Sequence, residues 1–204
     1  MQLQLTVAID ERRQARQRLR RGRRALTVSD QAIAAVAMAR RVVTSHFFQN
    51  AYRIAIYWPA DGEISPLPLA DRALAMGKQV YLPELPRKPS QRMRFAPLAG
   101  DVRFSLNRFG IPEVDVGYRE TLSVNQLDLL VLPVVGMDLL GNRIGMGAGY
   151  YDRVLENCYS RAITPTLLGV AHSLQLLDAI EVQRWDIPLH WLATDLNVFA
   201  AGGC

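Results

Sequence analysis

The sequence contains little cysteine and no clustering of cysteine with histidine. Its 204 residues include two cysteines, Cys158 and Cys204, so a disulfide framework is excluded and a reducing, cytoplasmic compartment is expected. The absence of a Cys/His cluster argues against zinc. No uncharged apolar run of about 18 residues occurs, and the N-terminus lacks the order of a signal peptide. We therefore expect no membrane association.

Lysine is almost absent as well. Only Lys78 and Lys88 occur, although the formal net charge is +5, so arginine carries the positive charge. The planar guanidinium group suits phosphate and carboxylate partners. A coding bias toward arginine and an anionic partner, either a nucleotide or a nucleic acid, both remain open. Many of the arginines crowd one predicted N-terminal helix: Arg12, Arg13, Arg16, Arg18, Arg20, Arg21, Arg23 and Arg24.

The order of predicted elements is typical of an α/β protein. Hydrophobic periodicity predicts helices over residues 8–26, 29–49, 148–158 and 174–180, with another ending near Gly77. Strands are predicted at 52–58, 79–85, 93–98, 127–135, 165–171 and 191–199. Residues 100–126 read as irregular, apart from an extended segment at "FGIPEVD", residues 109–115. We predict one domain over residues 1–204: a mostly parallel sheet flanked by helices, a Rossmann-like three-layer fold with a basic N-terminal helix.

A glycine-rich stretch, "GNRIGMGAGYYDR" at residues 141–153, follows the most apolar predicted strand. Ligands of open α/β sheets bind where strands end, and glycine lets backbone N–H groups approach an anion. A following helix adds partial positive charge at its start. The stretch therefore predicts a phosphate site. It is not a P-loop, because no Gly-Lys-Ser/Thr ends it, and it reads G-x-G-x-G instead of the dinucleotide-binding pattern G-x-G-x-x-G. A tight strand-to-helix turn would require the same glycines.

Asp152 lies next to this predicted phosphate site. A carboxylate repels phosphate unless a cation lies between them, and Mg²⁺ binds one or two carboxylates together with phosphate oxygens. Alternatively, Asp152 only complements the helix dipole, which is worth about 0.5 kcal/mol. Arg143 and Arg153 flank the loop and are candidates to hold phosphates or to remain solvated.

The stretch "LPVVGMDLLGNRIGMGAGYYDRVL" resembles the signature of the 5-formyltetrahydrofolate cyclo-ligase family, with Met137 in place of the usual Phe. Further blocks resemble the same family in order: "RQARQRLRRGRRALT", "IAIYWPADGEISPLPL", "VYLPEL" and "GVAHSLQLLDAIEVQRWDIPLHWLATD". The resemblance implies an enzyme that uses ATP and Mg²⁺ to convert 5-formyltetrahydrofolate into 5,10-methenyltetrahydrofolate, ADP and phosphate. It implies phosphorylation of the formyl oxygen and attack by N10. We expect a monomer that acts on these small molecules.

The resemblance also assigns roles to individual residues. The implied ATP-binding residues are Arg12, Arg16, Arg143, Ile144, Gly145, Met146, Gly147, Ala148, Gly149, Tyr150 and Tyr151. The implied folate-binding residues are Trp58, Glu63, Met146, Gly147, Ala148, Gly149 and Tyr150. Arg143 and Tyr151 are the implied catalytic residues, and Asp152 and Asp186 the implied magnesium ligands. His172 is interpreted as a hydrogen-bonded structural histidine.

Two other functional classes fit parts of the sequence. A basic nucleic-acid-binding protein would explain the arginine helix, but it would give the glycines and Asp152 no role. Another phosphate-binding α/β enzyme, such as a sugar-phosphate isomerase or an acyl-CoA enzyme, rests on fold analogy alone.

Overall fold

The computed structural model describes residues 2–86, 92–98, 102–115, 120–156, 165–183 and 186–202, with side chains from residue 11 onward. Its helices are α1 (Gln2–Arg24), α2 (Val28–Val43), α3 (His46–Asn50), α4 (Leu67–Ala75) and α5 (Tyr150–Leu155). Its strands are β1 (Arg53–Ala55), β2 (Gln79–Glu84), β3 (Arg94–Pro97), β4 (Phe104–Leu106), β5 (Pro112–Val114), β6 (Leu129–Pro133), β7 (Gly136–Asp138), β8 (Arg143–Ile144), β9 (Thr166–Val170), β10 (Leu176–Leu177), β11 (Trp191–Ala193) and β12 (Val198–Ala200). Short 3-10 helices lie at Val124–Gln126 and Ser173–Gln175.

The central sheet, in the part of the chain that the structure describes, has the strand order β12-β11-β9-β6-β1-β2-β3. The strands from β11 to β2 are parallel, and the edge strands β12 and β3 pair antiparallel to their neighbours. The mixed α/β fold with a mostly parallel sheet confirms the predicted fold class. The assignment of residues 1–204 to one domain stays a prediction.

Both faces of the sheet are covered, so its central strand is apolar throughout. In β6, Leu129 and Val131 belong to the core beneath α2, α3 and α4, whereas Leu130 and Leu132 belong to the core on the α5 side. Side chains alternate across a strand, so a strand buried on both faces must be hydrophobic at every position. The apolar sequence of β6 therefore agrees with its place at the centre of the sheet.

The helices begin and end for local reasons. Thr27 forms a capping box with Asp30 at the start of α2. The predicted helix over 29–49 is divided, because Thr44 and Ser45 separate α2 from α3.

Among the described residues, no helix is both long and apolar enough to cross a bilayer.

A second, small sheet of strands β10, β7 and β8 lies beyond the carboxyl end of β6. Helix α1 packs on it through Leu19, which shares a core with Val135, Ile144 and Ile180. Gly136 permits this approach, because a Cβ there would lie 2.7 Å from the Leu19 Cδ1 atom. The arginine-rich helix is thereby fixed beside the end of the central sheet.

Several predicted elements were wrong in detail. Residues 174–180 form the end of a 3-10 helix and strand β10 instead of a helix, because Leu176 and Leu177 pair in parallel with β7. Within residues 100–126, strand β5 lies in the segment predicted as extended, whereas β4, which pairs with β5 in a hairpin, was not predicted. The last predicted strand is two antiparallel strands, because Thr194 Oγ1 accepts hydrogen bonds from the turn between them. Lys88, Cys158 and Cys204 lie outside the described residues.

Candidate active site

One cleft of about 1300 Å³ opens at the carboxyl ends of β1, β2 and β6. The strand order reverses between β1 and β6, because the chain adds β2 on one side of β1 and β6 on the other. Such a switch point is where α/β sheets bind ligands. The structure brings every site residue predicted from the sequence to this cleft: Arg12, Arg16, Trp58, Glu63, Arg143, Ile144, Gly145, Met146, Gly147, Ala148, Gly149, Tyr150, Tyr151, Asp152 and Asp186.

The glycine loop connects β8 to α5 along the floor of the cleft. Gly147 and Gly149 have φ values of 97° and 65°, a left-handed region that favours glycine. Gly149 is the N-cap of α5, and a Cβ there would lie 3.0 Å from an Arg153 Nη1 atom. Gly145 is different, because its Cβ would meet nothing within 4 Å. The backbone conformation therefore requires glycine at 147 and 149, whereas the local packing does not require it at 145.

Arg143 ties the glycine loop to the segment that carries Asp186. Its guanidinium group, only 8% exposed, donates hydrogen bonds to the Asp152 carboxylate and to the carbonyl oxygen of Ile187. The Asp152 side chain remains 41% exposed in the cleft. Helix α5 has 6 residues, shorter than predicted, so its dipole adds little to the site.

Arg12 and Asp186 form an ion pair across the cleft wall. The Arg12 Nη2 atom lies 2.6 Å from Asp186 Oδ2, which also accepts a hydrogen bond from the backbone N–H of Gln183 at 3.0 Å. The Arg12 Nε atom is buried and has no hydrogen-bond partner among the described residues. A buried donor without a partner costs free energy, so this Arg12 conformation is not favoured by the ion pair alone.

The carboxylates alone do not form a metal cage. Within the described part of the chain, no group of three or more His, Cys, Asp and Glu side chains could hold a metal ion. Asp152 and Asp186 each face an arginine instead. Mg²⁺ in nucleotide sites is usually held by one or two carboxylates plus phosphate oxygens and water. The donor set therefore fits a metal that arrives with a nucleotide, and both assignments stay predictions.

Arg16 lies between the N-terminal helix and the glycine loop. Its Nε atom donates a hydrogen bond of 2.8 Å to the carbonyl oxygen of Gly145, and its guanidinium lies about 4 Å from where a Cβ of Gly147 would stand. Burial and the neighbouring charges of Arg12 and Arg20 lower the pKa of Arg16. Positive charge is thus concentrated at the loop, as an anion site requires.

The opposite wall of the cleft comes from the loop between β1 and α4. The Glu63 side chain is 11% exposed, and its Oε2 atom accepts a hydrogen bond of 3.1 Å from the backbone N–H of Ala60. Burial raises the pKa of Glu63, and the nearby Arg23 partly offsets that rise. Trp58 packs against Phe104 of the β4–β5 hairpin, with ring centroids 5.4 Å apart.

The two tyrosines of the loop have different surroundings. Tyr150 lies beneath the hairpin tip, where its ring contacts Phe109 edge-on at 6.2 Å and its hydroxyl accepts a hydrogen bond from Arg108. Arg153 lies over the Tyr150 ring at 5.0 Å. Burial, and then the charge of Glu63, raise the pKa of Tyr151, so its phenol stays protonated at neutral pH.

Asp61 is a functional-site residue that the sequence reasoning missed. Its carboxylate accepts hydrogen bonds from Arg20, Arg23 and Arg24 of α1. Partial burial opposes this effect, but these hydrogen bonds lower the pKa of Asp61 to about 2. Its own φ of 55° is unusual for a residue other than glycine. The dipeptide Asp-Gly at 61–62 and the spacing of the arginines along one helix face were the available signals.

Two further polar residues have structural roles. His172 is buried, and its Nε2 atom lies 3.2 Å from the carbonyl oxygen of Gly62, in agreement with the structural interpretation. Asp138, fully buried, accepts hydrogen bonds from Asn142 and from the backbone N–H groups of Leu140 and Ile180. These bonds hold the β7–β8 hairpin that leads into the glycine loop.

Comparison with known proteins identifies the family of the chain. Residues 8–195 match the sequence profile of the 5-formyltetrahydrofolate cyclo-ligase family. The 5-formyltetrahydrofolate cyclo-ligase of Escherichia coli strain K12 is 34% identical over 181 residues, or 89% of this chain and 98% of the relative. That of Haemophilus influenzae is 34% identical over 179 residues, or 88% and 95%.

A solved structure agrees. The NMR structure of Aquifex aeolicus 5,10-methenyltetrahydrofolate synthetase matches with a TM-score of 0.78 at 26% identity, covering 93% of this chain and 92% of that one. The sequence profile, the curated relatives and this structural match all point to one group of enzymes. The chain belongs to the 5-formyltetrahydrofolate cyclo-ligase family.

Proposed function

We propose that the chain converts 5-formyltetrahydrofolate into 5,10-methenyltetrahydrofolate, with consumption of ATP in the presence of Mg²⁺. The observation that carries this proposal is the single cleft that joins two kinds of wall. One wall offers the glycine loop with Arg12, Arg16 and Arg143 for phosphates, and the other offers Trp58 and Glu63 for a flat, hydrogen-bonding ring.

The chemistry explains why both walls are needed. The formyl oxygen of an amide is a poor leaving group, and transfer of the γ-phosphoryl group of ATP to that oxygen makes it a good one. N10 then attacks the activated carbon, a C–N bond forms, N10 loses its proton, and the oxygen departs within inorganic phosphate. Such phosphoryl transfer requires mainly positioning and charge neutralisation from the protein.

The arginines of the cleft supply these two effects. Arg12 lines the cleft and brings a positive charge to its wall. Arg16 and Arg143 keep positive charge beside the loop, and the backbone at Gly147 and Gly149 allows close approach. When bound, Mg²⁺ would neutralise phosphate charge, and Asp152 and Asp186 are the residues that would hold it.

The folate side relies on shape and hydrogen bonds. Glu63 has a carboxylate that is well suited to accept from the amino and ring N–H groups of a pterin. The rings of Trp58 and Tyr150 give the cleft flat apolar walls at either side of the hairpin. Tyr151, whose pKa is raised, is a neutral hydrogen-bond donor near Glu63.

Among the described residues, part of the basic character of α1 is used inside the protein. The α1 arginines at positions 12, 16, 20, 23 and 24 contact partners within the protein itself. They are therefore not a free cationic surface of the kind that binds a phosphate backbone.

A direct assay tests the proposal. Purified protein is mixed with 5-formyltetrahydrofolate and MgATP, and the near-ultraviolet absorbance of the methenyl product is followed. We expect a rise that needs both ATP and Mg²⁺ and that releases one phosphate for each product. Folded protein that gives no ATP-dependent rise would refute the proposed function. A non-hydrolysable ATP analogue is the matched control and should give no product.

A further inference from the structure

Arg23 is a fully buried charge next to the cleft but not in its lining. Its side chain has 0% exposure, and it sits on α1 where that helix passes behind the loop of Asp61 and Glu63. Burial of an arginine is costly unless its donors are used. Here Nε donates to the backbone oxygen of Asp61 and Nη2 to its carboxylate, both at 2.8 Å.

The same guanidinium group also faces Glu63 and the glycine loop. Its Nη2 atom lies 3.5 Å from Glu63 Oε1 and 3.8 Å from Met146 Sδ, and its Nη1 atom lies 3.5 Å from the carbonyl oxygen of Val134. One side chain therefore contacts the β1–α4 loop, the end of β6 and the glycine loop. The guanidinium group is planar and rigid, so it fixes the relative positions of its hydrogen-bond partners.

We propose that Arg23 is a positioning residue for folate binding, which holds the Glu63 carboxylate and the Asp61 turn in place from behind the cleft. This inference rests on the proposed function, in which Glu63 accepts hydrogen bonds from the pterin. Arg23 itself does not line the cleft, so it acts through Glu63 instead of touching the substrate.

The neighbouring arginines cannot take over this role. Arg24 pairs with the same Asp61 carboxylate, but its side chain is 55% exposed and it has no contact with Glu63. Arg24→Met is therefore a matched control, because it removes one guanidinium from Asp61 and leaves Glu63 untouched.

The pH dependence of folate binding distinguishes positioning from simple stabilisation. Burial raises the pKa of Glu63 and Arg23 works against that rise, so removal of Arg23 raises this pKa further. The other groups that influence Glu63 are Asp61, Arg20, Tyr57 and Tyr151. Asp61 loses one hydrogen-bond partner in the variant but keeps Arg20 and Arg24, and its carboxylate raises the pKa of Glu63 in the same direction. Because a protonated Glu63 cannot accept both pterin hydrogen bonds, the folate affinity of the Arg23 variant should begin to fall at a higher pH than that of the wild type as the solution is acidified.

The experiment compares wild type, Arg23→Met, Arg23→Lys and Arg24→Met by calorimetric titration. 5-Formyltetrahydrofolate is titrated without ATP, and a non-hydrolysable ATP analogue with Mg²⁺ is titrated separately. For Arg23→Met we expect folate Kd to rise about tenfold or more, since a hydrogen bond to a charged group is lost, with a steeper loss at low pH. The Kd of the ATP analogue should stay within about twofold of wild type, and Arg24→Met should match wild type for both ligands.

Arg23→Lys keeps the positive charge but loses the planar guanidinium group, so its folate Kd should rise by about threefold. The pH dependence of this Kd should approach that of the wild type. If Arg23→Met folds and binds folate as wild type does, or loses both ligands equally without a change in pH dependence, the inference is wrong. If Arg23→Met does not fold, an unchanged folate Kd in Arg23→Lys overturns it. Wild-type protein that fails to bind or turn over 5-formyltetrahydrofolate would instead refute the proposed function.

Discussion

Substitution of Asp152 by Asn should separate catalysis from stability. The Asp152 carboxylate pairs with Arg143, but its side chain is 41% exposed, and ion pairs open to solvent contribute at most about 1 kcal/mol. The helix that follows is 6 residues long, so its dipole adds no more than about 0.5 kcal/mol. The amide oxygen of Asn can still accept from Arg143. We expect a loss of about 0.5–1 kcal/mol in unfolding free energy and a Tm lower by about 2–4 °C.

Activity should respond far more strongly. If Asp152 holds Mg²⁺ against the ATP phosphates, the neutral amide weakens that interaction in the transition state. A loss of about 3 kcal/mol, typical of a charged contact, corresponds to a fall in turnover of about 100-fold. The methenyl absorbance assay over a Mg²⁺ titration measures this fall, together with the shift to higher half-saturating Mg²⁺. Thermal unfolding of the same samples gives the change in stability.

Glu156→Gln is the matched control for this experiment. Glu156 lies one turn further on and at the rim of the same cleft, so the variant makes the same change in charge. We expect near wild-type turnover and Mg²⁺ dependence. Unchanged kcat and Mg²⁺ dependence in Asp152→Asn would remove Asp152 from the metal site. Equal losses in the two variants would show that only the overall charge of the cleft matters.

Three further predictions follow from the geometry. The pKa of Asp61 is lowered to about 2, so its contribution to stability is complete above the unfolded value of about 3.9 and is lost as the pH falls toward 2. Chemical denaturation at several pH values should show that the unfolding free energy of Asp61→Asn depends less on pH in this window than that of the wild type. An unchanged pH dependence would contradict the pairing of Asp61 with the three arginines. Gly149→Ala should destabilise the protein by about 1–2 kcal/mol, because Gly149 has a positive φ. Gly145→Ala should change the unfolding free energy by less than about 0.5 kcal/mol, because a Cβ there meets no other atom. Equal effects of the two variants in denaturation experiments would refute this distinction. Arg12→Met should raise the KM for ATP by about tenfold, as measured by steady-state kinetics. Arg13 is exposed on the same helix, so Arg13→Met should leave this KM unchanged. The same KM for ATP in both variants would mean that Arg12 has only a structural role.

The sheet could be predicted from the sequence because each of its strands carries a local pattern. The run at 127–135 is apolar at nearly every position, and only a strand covered on both faces requires that. The helix prediction for residues 174–180 was wrong because the spacing of the leucines there fits a helix as well as a strand. Pairing of Leu176 and Leu177 with β7, about 40 residues away in sequence, decided the outcome.

The candidate site was predictable where its residues lie close together in sequence. Gly147, Gly149 and Asp152 belong to one short stretch, and backbone freedom beside a carboxylate already indicates phosphate and a cation. Asp61 and Arg23 were not found in this way. The Asp-Gly dipeptide and the spacing of the arginines are weak signals that do not pair these two residues, and only the tertiary structure shows their contact.

The sequence by itself determined the chemistry of the glycine loop, the order of the main strands and helices, and the resemblance to one enzyme family. Only the tertiary structure decided which partners the arginines of α1 contact. Arg12 and Asp186 are 174 positions apart, and Arg16 and Gly145 are 129 apart. Charge along a helix does not specify a partner at such separations. The packing of Leu19 against Gly136 sets the orientation of the helix, and this orientation turns a basic face toward the cleft.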